Sequence, residues 1–171
     1  QFLLEPTEQV QWRLEAVNRL REKNVGEALA LLDKANEAAS GLKGSLNGKG
    51  FEGFRDADDL FGLVIEVMAH GDYYWVPVEQ IDTLALNPPR FPRDLIWMPA
   101  RIMLKEGEHG EVFLPVLYPG SHEHPDDQVR LGRANDWKND EGGPVLGVGA
   151  RTYLIGDDGV PLTEWRELIF T

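Results

Sequence analysis

The chain has 171 residues, of which 42% are hydrophobic and 27% charged, so its size and composition are those of one ordinary globular domain and exclude a disordered or fibrous chain. The absence of cysteine excludes disulfides and Cys-based metal sites or nucleophiles. The net charge is −12; residues 1–50 are neutral, with seven basic and seven acidic side chains, and residues 51–171 carry the whole excess. Because an acidic chain repels phosphate backbones and anionic membrane surfaces, we expect neither nucleic-acid nor membrane binding.

The N-terminal residues are predicted to form a pair of helices. Apolar residues recur at helical spacing after Thr7, which can cap the first helix. The second helix is predicted to run from about Gly26 to Ser40, with a broad, alanine-rich apolar face. One helical pair cannot bury such a face alone. We therefore predict a helical hairpin at 1–40, the end of a helical-repeat region resembling tetratricopeptide repeats, followed by an α+β domain at 41–171.

A hairpin is predicted around Asn47-Gly48. These two residues tolerate the positive φ angles of a tight turn, so Leu42–Leu46 and Lys49–Phe54 are predicted to pair as strands.

An acidic cluster precedes an apolar stretch from Leu60 to Met68. The stretch shows helical spacing, and acidic side chains favour the first turn of a helix, so a third helix packed on the sheet is predicted. Asp56, Asp58 and Asp59 could also hold a hard cation through carboxylate oxygens. Capping of the helix is the preferred interpretation, because the spacing of a calcium-binding loop is absent.

Beyond Gly71, apolar and polar residues alternate with a period of two, and turn residues separate the alternating segments. This pattern predicts a series of strands. The predicted strands are Tyr73–Val76, Thr83–Leu86, Leu95–Leu104, Glu111–Tyr118, Arg151–Ile155 and Glu164–Phe170. Residues 125–131 are predicted to form one helical turn. The expected fold is α+β, with a strongly bent antiparallel sheet or a partly open barrel.

A histidine-rich loop supplies the best enzyme signal. His122 and His124 can point to the same side of an extended segment, and Asp126 and Asp127 could complete a zinc or manganese site. A metal-dependent hydrolase is therefore the alternative function. A solvated polar loop is the competing interpretation, because catalytic metal sites usually draw ligands from several elements.

The glycine-rich segment Gly142–Gly149 is predicted to be a loop without a nucleotide site. It lacks the Lys-Ser/Thr of a phosphate-binding loop, and a strand rather than a helix follows it. Arg130 and Arg133 are expected to pair with buried acids such as those at 56–59.

Several short segments, taken together in their order along the chain, resemble a known protein family more specifically than any single motif does. They are residues 55–60, 73–77, 93–100, 113–121, 130–133 and 136–137. This succession resembles the ImpE (SciE, TagJ) family of type VI secretion accessory proteins, from about residue 25 onward. The matched positions are Arg55, Asp56, Asp58, Asp59, Trp75, Pro77, Asp94, Trp97, Pro99, Pro115, Tyr118, Pro119, Arg130, Gly132, Arg133 and Trp137.

The resemblance implies a cytoplasmic, non-enzymatic accessory factor without catalytic residues, cofactor or metal. Family members bind the small subunit TssB of the contractile sheath, through its N-terminal helix, and are linked to ClpV, the ATPase that recycles contracted sheath. Members are longer at the N terminus, and this chain begins with Gln1, so it is expected to be a fragment.

Helical hairpins bind amphipathic helices through apolar anchors. The candidate anchors are Trp12, Leu20, Leu29 and Leu32. The acidic charge of residues 51–171 is expected to attract a basic partner and to make association sensitive to salt.

Overall fold

The computed structural model describes residues 1–38, 41–139 and 142–171. Two N-terminal helices precede a large antiparallel sheet, which confirms the predicted α+β class. The helices are α1 (Glu8–Arg21), α2 (Val25–Glu37) and the single turn α3 (Asp127–Arg130). The strands are β1 (Lys43–Leu46), β2 (Lys49–Glu52), β3 (Phe54–Asp56), β4 (Val64–Ala69), β5 (Asp72–Pro77), β6 (Ile81–Leu86), β7 (Trp97–Leu104), β8 (His109–Pro115), β9 (Asn135–Lys138), β10 (Leu146–Gly149), β11 (Thr152–Ile155), β12 (Asp158–Pro161) and β13 (Glu167–Phe170).

The helical hairpin forms as predicted, with different capping. Thr7 occupies the N-cap of α1, but its hydroxyl makes no capping hydrogen bond. Asn24 caps α2 by accepting a hydrogen bond from the Glu27 amide at 3.4 Å. Residues 39 and 40, where the second helix and the first unit are predicted to end, lie outside the described residues. No helix of the described residues is long and apolar enough to cross a membrane.

Eight strands form the main sheet, in the order β2-β1-β13-β6-β7-β8-β4-β5, with every neighbouring pair antiparallel. Within the described residues the edge strands β2 and β5 do not pair, so the sheet is open. The predicted turn joins β1 to β2, with φ angles of 51° at Asn47 and 80° at Gly48. A three-stranded sheet, β12-β11-β3, and a β9–β10 hairpin complete the β structure. All six predicted strands correspond to strands of the structure.

The predicted third helix is wrong, since its C-terminal half is strand β4. Five of the six residues of β4 are buried, on both faces of the sheet. A strand that is buried on both faces loses the alternation of period two, and its pattern can then mimic helical spacing. Val64, Ile65 and Val67 are β-branched, which favours the strand. The prediction for the glycine-rich loop is also partly wrong, because residues 146–149 form β10.

The main core lies on the inner face of the large sheet and extends to β3 and β11. Trp165 is fully buried at its centre, with ring centroids 4.5 Å from Tyr153 and 5.9 Å from Phe54. A separate small cluster of Ala16, Ala28 and Leu32 joins the two helices. The opposite face of the large sheet carries the charged site described next.

Candidate functional site

Arg151, just before β11, is the centre of a buried charged cluster. Its Nη1 lies 3.0 Å from Asp56 Oδ2, and its Nη2 donates to Glu66 Oε2. The guanidinium lies 4.6 Å from the ring centroid of Phe61 and 4.8 Å from that of Tyr118, within cation–π range. Arg151 is 1% exposed, so this charge depends on its two carboxylate partners for compensation. We call Arg151, Asp56, Glu66 and Tyr118 the Arg151 cluster.

The Tyr118 hydroxyl connects the cluster to the backbone of β11. It donates to Asp56 Oδ1 at 2.6 Å and accepts from the Thr152 amide at 3.1 Å. Burial, together with the negative charge of Asp56, raises the pKa of Tyr118 above its ordinary range. The phenol is therefore protonated at neutral pH and acts as a hydrogen-bond donor.

The acidic turn after β3 holds the glycine-rich segment through backbone amides. Asp58 Oδ2 accepts from the Gly147 amide at 2.7 Å, and Asp59 Oδ2 accepts from the Val145 amide at the same distance. Asp56 Oδ1 also accepts from the Asp58 amide at 2.9 Å. These carboxylate oxygens accept hydrogen bonds from backbone amides, as the capping interpretation predicts. The segment that they cap is a turn and not the start of a helix.

Carboxyl groups outnumber arginines in this interior. Asp56, Asp58 and Glu66 are all buried, and Arg151 is the cation that contacts two of them. Burial raises the pKa of Asp56 to about 7, although Arg151 and the Tyr118 hydroxyl favour its charged form. Burial also raises the pKa of Asp58. The folded chain therefore retains protons that the unfolded chain releases.

Stability is expected to fall as the pH rises from about 4 to about 7. In this window an unfolded aspartate, with an ordinary pKa of 3.8, loses its proton, whereas folded Asp56 keeps it up to a pKa of about 7. The folded state thus binds more protons, and the free energy of unfolding decreases with pH. Urea denaturation at several pH values measures the slope, and Asp56→Asn should flatten it. An unchanged slope in that variant would remove Asp56 as its source.

Arg13 attaches the helical hairpin to the acidic turn. It is fully buried, and its Nη1 donates to the carbonyls of Asp59 at 2.9 Å and Leu60 at 3.1 Å. Its Nη2 donates to Asn36 Oδ1 at 2.6 Å, which ties the contact to α2 as well. Burial lowers the pKa of Arg13 to about 10. The hairpin is therefore fixed to the β structure by an interior arginine.

The family model described as ImpE protein matches residues 48–169. The chain belongs to the ImpE family. It is 34% identical over 169 residues to the type VI secretion system accessory component TagJ of Pseudomonas aeruginosa, a match that covers 99% of this chain and 59% of that protein. The chain thus spans about three-fifths of the length of this relative.

The fold is also that of a solved structure. The X-ray crystal structure of protein VPA1032 from Vibrio parahaemolyticus superposes with a TM-score of 0.87, covering 99% of this chain and 63% of that one. The sequence identity is 24%, so the likeness concerns the fold alone.

Several positions matched to the ImpE family lie in or against the Arg151 cluster. Besides Asp56, Asp58 and Tyr118, Trp75 packs edge-on against Phe61, with ring centroids 5.8 Å apart. Trp137 packs in the same manner against Tyr118 at 5.9 Å. Arg55 and Asp59 form an ion pair at 2.5 Å at its margin. The structure therefore brings together residues far apart in the chain, in an arrangement that stabilises the interior.

Other matched positions lie elsewhere. Asp94 accepts from the amides of Arg90 and Phe91, at 2.9 and 3.2 Å, and these bonds lower its pKa. Trp97 lies on the outer face of the large sheet and is 36% exposed.

The expectation for Arg130 and Arg133 is wrong. Arg130 pairs with Asp127 on the surface, and Arg133 is exposed. The cation that pairs with the buried acids is instead Arg151. Arg151, Glu66 and Arg13 are interior residues that the sequence analysis did not identify. A weak signal existed, since Glu66 interrupts an otherwise apolar segment.

The histidine-rich loop does not assemble a metal site. His122 is exposed, and its Nε2 lies 3.7 Å from Glu123. His124 Nε2 lies 3.2 Å from Asp136, and Asp126 caps α3 through the Gln128 amide. Asp127 pairs with Arg130. Among the described residues, no group of three or more His, Asp or Glu side chains is placed to hold a metal ion.

The predicted partner anchors differ in accessibility. Leu32 is 1% exposed inside the hairpin, and Leu20 packs against the same small cluster. Leu29 is half-buried. Trp12 is half-buried as well, with the ammonium of Lys34 3.9 Å from its ring centroid. Leu20 is half-buried as well, so Trp12, Leu20 and Leu29 keep some exposed surface and Leu32 does not.

Proposed function

We propose that this chain is a non-enzymatic accessory component of a type VI secretion system, acting in the cytoplasm. The supporting observation is its similarity to TagJ along 99% of its length, together with its membership of the ImpE family. In this role it binds the sheath subunit TssB and takes part in ClpV-dependent recycling of the sheath. The charged cluster then serves to hold the scaffold that presents the binding surface.

We place the TssB contact on the hairpin of residues 1–40, as a unit distinct from the domain at 41–171. Trp12 and Leu29 supply apolar surface for the N-terminal helix of TssB. Arg13 holds the hairpin against the acidic turn, so a helix bound there lies next to a strongly acidic domain. A TssB helix with basic side chains would be favoured by this arrangement.

Titration calorimetry of the 171-residue chain with the N-terminal helix peptide of its cognate TssB tests the proposal. We expect a micromolar dissociation constant, with Trp12→Ala weakening it about tenfold, or about 1.4 kcal/mol. Phe91→Ala is the matched control, because Phe91 is 61% exposed and lies outside the hairpin. Added salt should weaken the complex through a slower association rate. Absence of binding, or equal effects of the two substitutions, would overturn the assignment to the hairpin.

A further inference from the structure

The connection between β6 and β7, residues 87–96, displays large apolar side chains to solvent. Within it, Phe91, Leu95 and Ile96 are 61%, 57% and 50% exposed. Trp97, which follows at the start of β7, is 36% exposed. Neighbouring apolar side chains at such exposure mark interaction sites in soluble domains. We call Phe91, Leu95 and Ile96 the apolar ledge.

Hydrogen bonds tie the ledge to the rest of the fold. Asp94 Oδ2 accepts from the amides of Arg90 and Phe91, at 2.9 and 3.2 Å. At the end of the connection, the Ile96 carbonyl accepts from the Val116 amide at 2.9 Å. Three prolines restrict the backbone further: Pro88, Pro89 and Pro92. A surface that is already ordered loses little conformational entropy on binding, so more of the contact energy appears as affinity.

A cleft beside the ledge has room for one apolar side chain. Its volume is about 210 Å³, a space that about seven molecules of liquid water would fill. Its lining includes Tyr73, Ile96, Trp97, Pro115, Leu117 and Pro119. Glu66 also belongs to the lining, but it is 5% exposed and is engaged by the Tyr73 hydroxyl and by Arg151. The surface that the cleft presents is therefore apolar and aromatic, and we call it the Trp97 cleft.

The exposed charge next to the ledge is positive. Arg90 is exposed, and the side chain of Arg93 is 65% exposed. The side chain of Asp94, by contrast, is 3% exposed and is bound to backbone amides. Farther along β7, Arg101 and Glu111 lie 4.0 Å apart and offset each other. A local excess of exposed positive charge thus lies in a chain whose net charge is −12.

This combination of side chains is typical of a protein–protein contact. Aromatic residues and arginine are enriched in such interfaces relative to the rest of a protein surface. Arginine pairs with a carboxylate through two parallel hydrogen bonds, which are stronger than those between neutral groups. A partner that carries carboxylates beside apolar side chains therefore matches both the ledge and its two arginines.

We propose that the apolar ledge and the Trp97 cleft bind an acidic, apolar segment of a partner protein. Apolar side chains of that segment pack on the ledge, with one of them in the cleft, and its carboxylates pair with Arg90 and Arg93. This surface is separate from the hairpin assigned to TssB above, which favours a basic helix. The two assignments can therefore fail independently.

The test uses short peptides, blocked at both ends, with the full 171-residue chain. The probe has the sequence Leu-Glu-Phe-Glu-Leu, and its matched controls carry glutamine or lysine in place of both glutamates. The readout is the backbone amides of the ledge and the indole N–H of Trp97 in ¹H–¹⁵N spectra. We expect the acidic peptide to shift these signals saturably, with a dissociation constant of about 1 mM. The glutamine peptide should bind about fivefold more weakly, because two exposed arginine–carboxylate pairs are lost, and the lysine peptide more weakly still.

Substitutions of leucine test the apolar part of the contact. Leu95→Ala should weaken binding of the acidic peptide about threefold, because it removes apolar surface from the ledge. Leu14→Ala is the control, since Leu14 is 39% exposed on α1 and should leave binding unchanged.

Substitutions of arginine test the charged part. Arg90→Gln combined with Arg93→Gln should abolish the preference for the glutamate peptide over the glutamine peptide. Arg19→Gln combined with Arg21→Gln removes the same charge from α1 and should retain the preference. This pair of double variants separates local pairing from general charge attraction.

Equal binding of the glutamate and glutamine peptides would overturn the proposal, as would the absence of a saturable shift or equal effects of a substitution and its control. Sedimentation equilibrium and flotation with phosphatidylglycerol vesicles test two other occupants of the same surface. Self-association or vesicle binding that Leu95→Ala abolishes would assign the ledge to a second copy of the chain or to a lipid surface, and would equally contradict an acidic protein segment.

Discussion

Replacing Arg151 by methionine is expected to lower the free energy of unfolding by about 3–5 kcal/mol, because it leaves two buried carboxylates without their cation. Asp56 and Glu66 are 0% and 5% exposed and both contact the guanidinium. For a chain of this length the loss corresponds to a fall in melting temperature of about 6–20 °C. Thermal and urea denaturation measure it directly.

A surface arginine provides the matched control. Arg101→Met should change the free energy of unfolding by less than about 1 kcal/mol, since Arg101 is 71% exposed in its side chain and its partner Glu111 lies 4.0 Å away. Adding Asp56→Asn and Glu66→Gln to Arg151→Met should recover part of the loss, because no unpaired buried charge remains. Equal effects of Arg151→Met and Arg101→Met would show that the cluster is not the electrostatic centre of the fold.

Gly147→Ala is expected to destabilise the protein by about 1–3 kcal/mol, through overpacking against a ring that cannot retreat. A Cβ atom at this position would lie 2.4 Å from Cε2 of Tyr118. The ring is held by hydrogen bonds of its hydroxyl to Asp56 and Thr152, and Trp137 packs against it. A shift of the backbone would instead lengthen the 2.7 Å bond from the Gly147 amide to Asp58.

The control for this substitution is Gly50→Ala in strand β2. A Cβ atom there meets its nearest neighbour, the Gly44 carbonyl oxygen, at 3.8 Å, an ordinary contact distance. Both glycines lie in strands at negative φ, so the intrinsic cost of alanine is similar. Urea midpoints that fall equally in the two variants would contradict the steric argument.

Local signals in the sequence were sufficient for much of the fold. Helical spacing predicts α1 and α2, the Asn47-Gly48 pair predicts the β1–β2 hairpin, and alternation predicts β7 and β8. The resemblance to the ImpE family identified Asp56, Asp58 and Tyr118, which lie together in the interior. Each of these inferences rests on residues close in sequence or on an ordered set of motifs.

The composition of the cluster could not be derived in this way. Arg151 is separated from Glu66 by 85 residues and from Asp56 by 95, and no local pattern encodes such pairings. Composition alone does not distinguish Arg130 and Arg133 from Arg151 as partners of the acidic residues. The sequence of strand β4 shows helical spacing because both of its faces are buried, one against the core and the other against the charged cluster around Arg151.

The position of β13 in the main sheet has a consequence for how the protein folds during synthesis. This strand lies between β1 and β6, although every other described strand precedes it in the chain. Until β13 leaves the ribosome, the β1–β2 hairpin has no neighbour in the sheet, and β6 presents an unpaired edge. Pairings of such large sequence separation form slowly and leave exposed edges open to wrong partners. A nascent chain stalled before residue 167 is therefore a species that a cell must protect from aggregation.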